Sequence, residues 1–153
     1  MALDTYQCKP IVLPSHDLSF SFESCGPNGE IKKVIQFQPF DQSINGETVV
    51  NLSFGDWNEE NANVNDQSIS DNRDTQKILA TVAMTTLQYL EQNDSRMIYI
   101  TGSTPARTRL YQIALNKNRA IWEKLFQAFG LLNDCWQRFI EGSNYEAFLF
   151  VRK

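Results

Sequence analysis

The residues best equipped for chemistry stand in TGSTPARTRLY, positions 101–111. A strand ending in Gly102, Ser103 and Thr104 that passes into a helix opened by Pro105 aims free backbone N–H groups at one point. The helix dipole adds partial positive charge there. Arg107 and Arg109 bring full charges to the same turn, and Tyr111 places a phenol one turn further on. Between positions 105 and 124 five basic residues face one acid, Glu123, a local charge of +4. A phosphate or a carboxylate suits such a turn. The plainer reading makes Ser103 and Thr104 ordinary helix caps and pairs the arginines with nearby acids. The block is no nucleotide-binding loop of a known pattern, since neither GxxxxGK followed by Ser or Thr nor GxGxxG occurs.

The second candidate is FGDWNEENANVND. Between positions 56 and 74 six acids face one base, Arg73, a local charge of −5. Asp56, Asn58 and Glu60 begin like a calcium loop, but the sixth position is Asn61 where Gly belongs and the twelfth is Gln67 where Glu belongs. A solvated loop is the expectation, with Asp56, Trp57 and Glu59 able to fold over the arginine turn as a lid or counterion. Metal and cofactor are both expected to be absent. The one histidine, His16 in PSHD, and Cys8, Cys25 and Cys135, which are far apart, give no zinc spacing, and a Ser/His or Cys/His mechanism would have to run through His16. The thiols read as small apolar fillers of a reduced, cytoplasmic protein. Trp122, Phe126, Phe129, Trp136 and Phe139 could stack on bases if exposed, but at this spacing they read as core.

The elements that must position these residues follow from periodicity. Leu18, Phe20 and Phe22 alternate with Ser19, Ser21 and Glu23 in a half-buried strand. GPNG at 26–29 reverses the chain into Ile31 to Phe40, where Ile31, Ile35 and Phe37 alternate with polar partners, and TVVNLSF at 48–54 makes a third strand. Residues 6–13 offer a shorter strand at the start. A long loop over about 55–73 leads to a helix from about Asp74 to Glu91, capped by Asp71 or Asn72, with Ile78, Leu79, Val82, Ala83, Thr86, Tyr89 and Leu90 as its apolar stripe. MIYIT at 97–101 reads as a covered strand. In the next helix Ala106, Leu110, Ile113 and Ala114 face the core. After a break at 116–118, a second helical segment carries Ile121, Trp122, Leu125, Phe126 and Phe129 to a stop at Gly130. DCWQRFI, a turn at GSN and YEAFLFVRK form a final hairpin.

The expected fold is therefore α+β: an N-terminal antiparallel meander, helix, central strand, helical pair and C-terminal hairpin, forming a mixed sheet with helices on it, superficially ribonuclease-H-like. A nuclease of that kind is disfavoured, because the central strand ends in Gly102 and Ser103 where metal-binding carboxylates belong. At 153 residues the chain reads as one domain, 1–153. With 14 Lys and Arg against 18 Asp and Glu, a net charge of −4 and a pI near 5.0, it is unlike a general nucleic-acid binder. No apolar run is long enough to span a bilayer, and the opening MALDTYQCKP carries no export signal.

The combination of LSFSFES, GPNGEIKKVIQF, NLSFGDWNEE, DTQKILATVA and above all YITGSTPARTRLY resembles a family of bacterial proteins of about this length known only as a domain of unknown function. The resemblance runs from about Tyr6 to Lys153, with GSTPARTRLY its most specific part. It implies a standalone bacterial domain and carries no activity, ligand or catalytic residue with it.

Three functions follow for test. The first is a non-enzymatic module that binds a phosphate-bearing ligand, a nucleotide or nucleic acid strand, through Gly102, Ser103, Thr104, Arg107, Arg109 and Tyr111. The second is a protein-interaction module, a homodimer or the partner of a small protein. The third is an enzyme on an anionic substrate, with Asp56 or Glu59 as base and the arginines as clamp. No membrane role is expected.

Overall fold

The structure, a computed structural model, describes residues 4–12, 18–44, 46–58, 63–65, 73–93 and 97–153. Its strands are β1 (Lys9–Val12), β2 (Leu18–Gly26), β3 (Gly29–Ile44), β4 (Glu47–Asn58), β5 (Asn63–Asn65), β6 (Met97–Ile100), β7 (Phe126–Leu132), β8 (Cys135–Arg138) and β9 (Ala147–Arg152). Its helices are α1 (Thr75–Gln92), α2 (Pro105–Lys117) and α3 (Arg119–Trp122). The strands form one mixed sheet in the order β1-β2-β3-β4-β6-β9-β7-β8, and β5 pairs with the end of β4. The fold is thus α+β. β4 and β6 are parallel, joined through α1, while the other pairs are antiparallel.

The meander forms for the reasons its alternation gives. Phe20 pairs with Ile35 and Ile35 with Phe54, so one parity of each strand lies on one face. That face carries the main core, with Phe37 stacked on Tyr89 of α1 at 4.2 Å and Trp122 edge-on to Phe150 at 5.2 Å. A smaller cluster of Val49, Met97 and Leu149 lies on the opposite parity. The β2–β3 turn is as its residues require, with Gly29 at φ 86°.

Several expectations are corrected. β4 does not end at Phe54 but continues to Asn58, and Trp57 pairs with Val64 of β5 and lies under Lys32 Nζ at 5.5 Å. Residues 55–58, expected to open the long loop, are strand. The capping candidates Asp71 and Asn72, like His16, Glu59 and Glu60, lie outside the described residues. Asp74 holds the cap position of α1 without capping it, since its carboxylate accepts from Tyr6 OH and Ser24 Oγ, each at 2.6 Å.

The second helical segment stops at Trp122. Residues 126–132 are strand β7, wedged between β8 and β9. A short apolar run fits either period, and here Phe126, Ala128 and Gly130 turn inward together. Gly130 ends no helix; the ring of Tyr145 lies across it, 2.2 Å from where a Cβ would stand. The expected final hairpin is also different, because β8 pairs with β7, while β9 pairs with β7 and β6. The tight turn lies at Asn133 and Asp134, both at positive φ (52° and 63°), the conformation a two-residue hairpin demands and Asn and Asp tolerate. Of the cysteines, all free, only Cys8 is partly buried; Cys25 and Cys135 are exposed and fill nothing.

Candidate functional site

α1 and α2 cover the same face of the sheet without closing on each other, and a cavity of about 580 Å³ lies between them. That volume is in the range of small-molecule sites. Its walls are mostly apolar: Ile78, Leu79, Val82 and Ala83 from α1, Leu52, Ile98 and Phe150 from the sheet, Leu115 from α2 and Trp122 from α3. The apolar stripe expected on α1 is thus largely cavity wall, with Ile78, Leu79, Val82 and Ala83 only half-buried.

Polar groups enter at the end where β4 and β6 diverge. Lys33 and Asp56 are register partners across β3 and β4, and the ammonium forms an ion pair with the carboxylate. Both side chains are largely buried, 7% and 16% exposed, and both line the cavity. Asp74, Thr101, Ser103, Arg107 and Tyr111 complete this end. Tyr6, which donates to Asp74, has its phenol held above the usual range by desolvation and by that hydrogen bond.

The turn that presents Arg107 is built by close packing. Thr104 caps α2, its hydroxyl accepting from Arg107 N at 3.1 Å, and Pro105 takes the first turn. Gly102 N donates to Thr108 Oγ1 at 2.9 Å, and a Cβ on Gly102 would stand 2.5 Å from Thr108 N. The turn therefore spends two of its N–H groups, those of Gly102 and Arg107, on its own hydroxyls. A backbone cradle for an anion is correspondingly reduced, and the side chains of Ser103 and Arg107 carry the polar chemistry toward the cavity.

The same packing rotates α2 away from its expected orientation. Its buried positions are Thr108 and Gln112, whereas Ala106 is exposed and Leu110 and Ile113 are 46% and 51% exposed; of the four residues expected inside, Ala114 alone meets the cavity. Gln112 accounts for the rotation. Its amide donates to Ser143 O and accepts from Tyr145 N at 3.0 Å, tying α2 to the loop before β9.

Of the residues singled out from sequence, Ser103, Arg107, Tyr111 and Asp56 meet at the cavity. Gly102 and Thr104 shape the turn without lining it. Arg109 is exposed away from it, and Trp57 sits on the β4–β5 pair under Lys32. Asp56 is fixed in β4 against Lys33. The local +4 also dissolves: Arg119 pairs with Glu123 at 3.4 Å and lies over Trp122, and Lys117 and Lys124 are exposed away from the cavity. The aromatic set divides, with Trp122, Phe126 and Phe139 in the core, Phe129 half-buried and Trp136 36% exposed.

Sequence reasoning missed Lys33 and named Asp74 and Thr86 without giving either a place in the site. Lys33 was legible, since Ile31, Lys33, Ile35 and Phe37 share one parity, as do Val50, Leu52, Phe54 and Asp56. A charge in the inward register of each of two neighbouring strands is the signal. Thr86 lines the cavity at 4% exposure, and its buried Oγ1 has no hydrogen-bond partner, whereas Thr81 donates to Lys77 O at 2.7 Å and Thr85 meets Cys8 Sγ at 3.4 Å. No group of three or more His, Cys, Asp or Glu side chains among the described residues is arranged to hold a metal, and no helix among them is long and apolar enough to cross a membrane.

Comparison with known proteins adds a family and no chemistry. The chain belongs to a family of unknown function, DUF6934, which matches residues 3–153. Neither the curated proteins nor the solved structures give a significant match.

Proposed function

We propose that this member of a family of unknown function is a non-enzymatic binding protein for a small anion with an apolar body. The phosphate or carboxylate of the ligand meets Arg107 and Ser103, and its apolar part enters the cavity between α1 and α2. The observation that carries this reading is the placement of one arginine at the polar end of an otherwise apolar cavity. Such a division, a few convergent polar groups on an apolar wall, is the usual anatomy of a ligand site. Because Arg107 is the one member of the basic run that lines the cavity, the reading favours a small ligand over a nucleic acid strand, whose binding needs many phosphate contacts. The exposed thiols of Cys25 and Cys135 suit the reducing, cytoplasmic, bacterial setting in which we place this activity.

A thermal-shift panel of inorganic phosphate, nucleotides and decanoate tests it. A ligand-dependent rise in the wild type that Arg107→Gln loses supports the site. A flat panel, or a rise that survives the substitution, removes it. An interaction role is favoured by a different observation. α2 turns Leu110 and Ile113 outward, and β8, all four residues of it exposed, forms one edge of the sheet. A dimer seen by light scattering that Leu110→Ser and Ile113→Ser dissolve would establish that role.

A further inference from the structure

Two opposite charges at the polar end of the cavity stand without a counterion. β4 and β6 are parallel, α1 returns the chain from one to the other and α2 follows β6, so both helices start at the carboxyl end of this strand pair. Asp74, the residue before α1, and Arg107, in the first turn of α2, therefore stand at the same end, and both line the cavity. The wall holds two further charges, Lys33 and Asp56, and these pair with each other. Asp74 accepts from two hydroxyls, those of Tyr6 and Ser24, both on Oδ2. Among the described residues no cation lies within ion-pair distance of it: Lys77 Nζ goes to Asp4 at 3.8 Å and over the Tyr6 ring at 4.3 Å, and Arg73 is exposed. Residues 59–62 and 66–72, EENA and DQSISDN, contain no Lys or Arg that could serve. Arg107 likewise makes no ion pair with a described residue.

A plain carboxylate would neutralise Arg107 and set a second negative charge beside Asp74, and like charges in a partly desolvated site repel. A ligand that brings an ammonium with its carboxylate answers both groups at once. We propose that the ligand is an α-amino acid with a large apolar side chain. This rests on the reading of Arg107 as the anion site and names the ligand class for it. The carboxylate sits on Arg107 and Ser103, and the ammonium donates to Asp74 Oδ1, which takes no hydrogen bond from the described residues. The side chain enters the apolar part of the cavity between Ile78, Val82 and Leu115. Both charged groups of the ligand belong at one end because the charged side chains of the wall are gathered there. That places the amine next to the carboxylate and rules out a chain with its amine at the far end. The plainer role for Asp74 is to offset the positive end of α1, and it makes no demand on the ligand.

Calorimetric titration of phenylalanine and leucine, and of their analogues lacking the amine or the carboxylate, into the wild type, Asp74→Asn and Arg107→Gln tests this. For phenylalanine the analogues are phenylpropionate and phenylethylamine. At least one of the amino acids is expected to bind the wild type about tenfold more tightly than either of its analogues, the worth of a charge-assisted hydrogen bond. In Asp74→Asn its lead over the analogue without the amine should fall to about parity. In Arg107→Gln its lead over the analogue without the carboxylate should fall likewise. Each lead is a ratio within one variant, so a general loosening of the fold does not mimic its loss. Should the analogue without the amine bind through Arg107 as tightly as the amino acid, or should the lead survive Asp74→Asn, the amino-acid assignment is overturned and the anion site stands. If no probe binds the wild type, or if the carboxylates bind Arg107→Gln unchanged, the anion site falls and takes the amino-acid assignment with it.

Discussion

Replacing Asp56 with Asn keeps the shape of the side chain and removes the charge facing Lys33. The two groups are register partners on β3 and β4, 16% and 7% exposed, so both are largely withdrawn from bulk water. Removing one partner of a buried pair leaves an uncompensated charge and costs about 3–5 kcal/mol; the partial exposure of Asp56 places this pair at the low end. At about 3 °C per kcal/mol for a chain of this size, Asp56→Asn should melt about 9 °C below the wild type. The apolar pair Lys33→Met with Asp56→Leu should recover most of that loss, because a well-packed apolar pair matches a buried ion pair in stability. Urea and thermal denaturation of Lys33→Met, Asp56→Leu and the double variant close the cycle, with Asp56→Asn measured beside them. A cost below about 1 kcal/mol for Asp56→Asn, the size of a surface pair, would refute the claim that the pair is desolvated. A double variant as unstable as the single would locate the cost in shape and not in charge.

Other outcomes follow from the same geometry. Thr86→Val should raise stability by about 1 kcal/mol, since a buried hydroxyl without a partner costs about that much; a loss measured by urea denaturation would mean the hydroxyl is satisfied. Gly102→Ala puts a Cβ 2.5 Å from Thr108 N, so the first turn of α2 must shift, at about 1–3 kcal/mol and with loss of Arg107-dependent binding, although no charge has changed. Wild-type melting and binding in that variant would contradict the packing account. Burial pushes the Cys8 thiol above its usual range, so with Ellman's reagent at pH 8 Cys25 and Cys135 should react fast and Cys8 slowly. Three equal rates would show that the segment around Cys8 does not hold against α1.

The elements whose apolar residues carry an unambiguous period were legible in the sequence: the β2–β3–β4 meander, α1, β6 and the start of α2, with its cap narrowed to Ser103 or Thr104. Where the period was ambiguous, the chain's neighbours decided. Phe126, Ala128 and Gly130 became a strand because β9 offered an edge and Tyr145 needed the space above Gly130. The Asn133–Asp134 pair makes the hairpin turn, whereas the turn was expected at GSN. The rotation of α2 could not be read locally, because it is set by Gln112 reaching Ser143 and Tyr145 some thirty positions away. The site was half legible for the same reason. Ser103, Arg107 and Asp56 stand out by type, but the cavity that unites them depends on two helices packed apart on one face of the sheet.

The central claim is that an anion held by Arg107 anchors a ligand whose body lies between α1 and α2. A crystal structure of the protein soaked with decanoate tests it most directly. The expected result is density for the carboxylate within hydrogen-bond distance of the Arg107 guanidinium, with the chain running along Ile78 and Val82 toward Trp122. Density only on the outer face of α2, or a cavity filled by neighbouring side chains while Arg107 points to solvent, would contradict it.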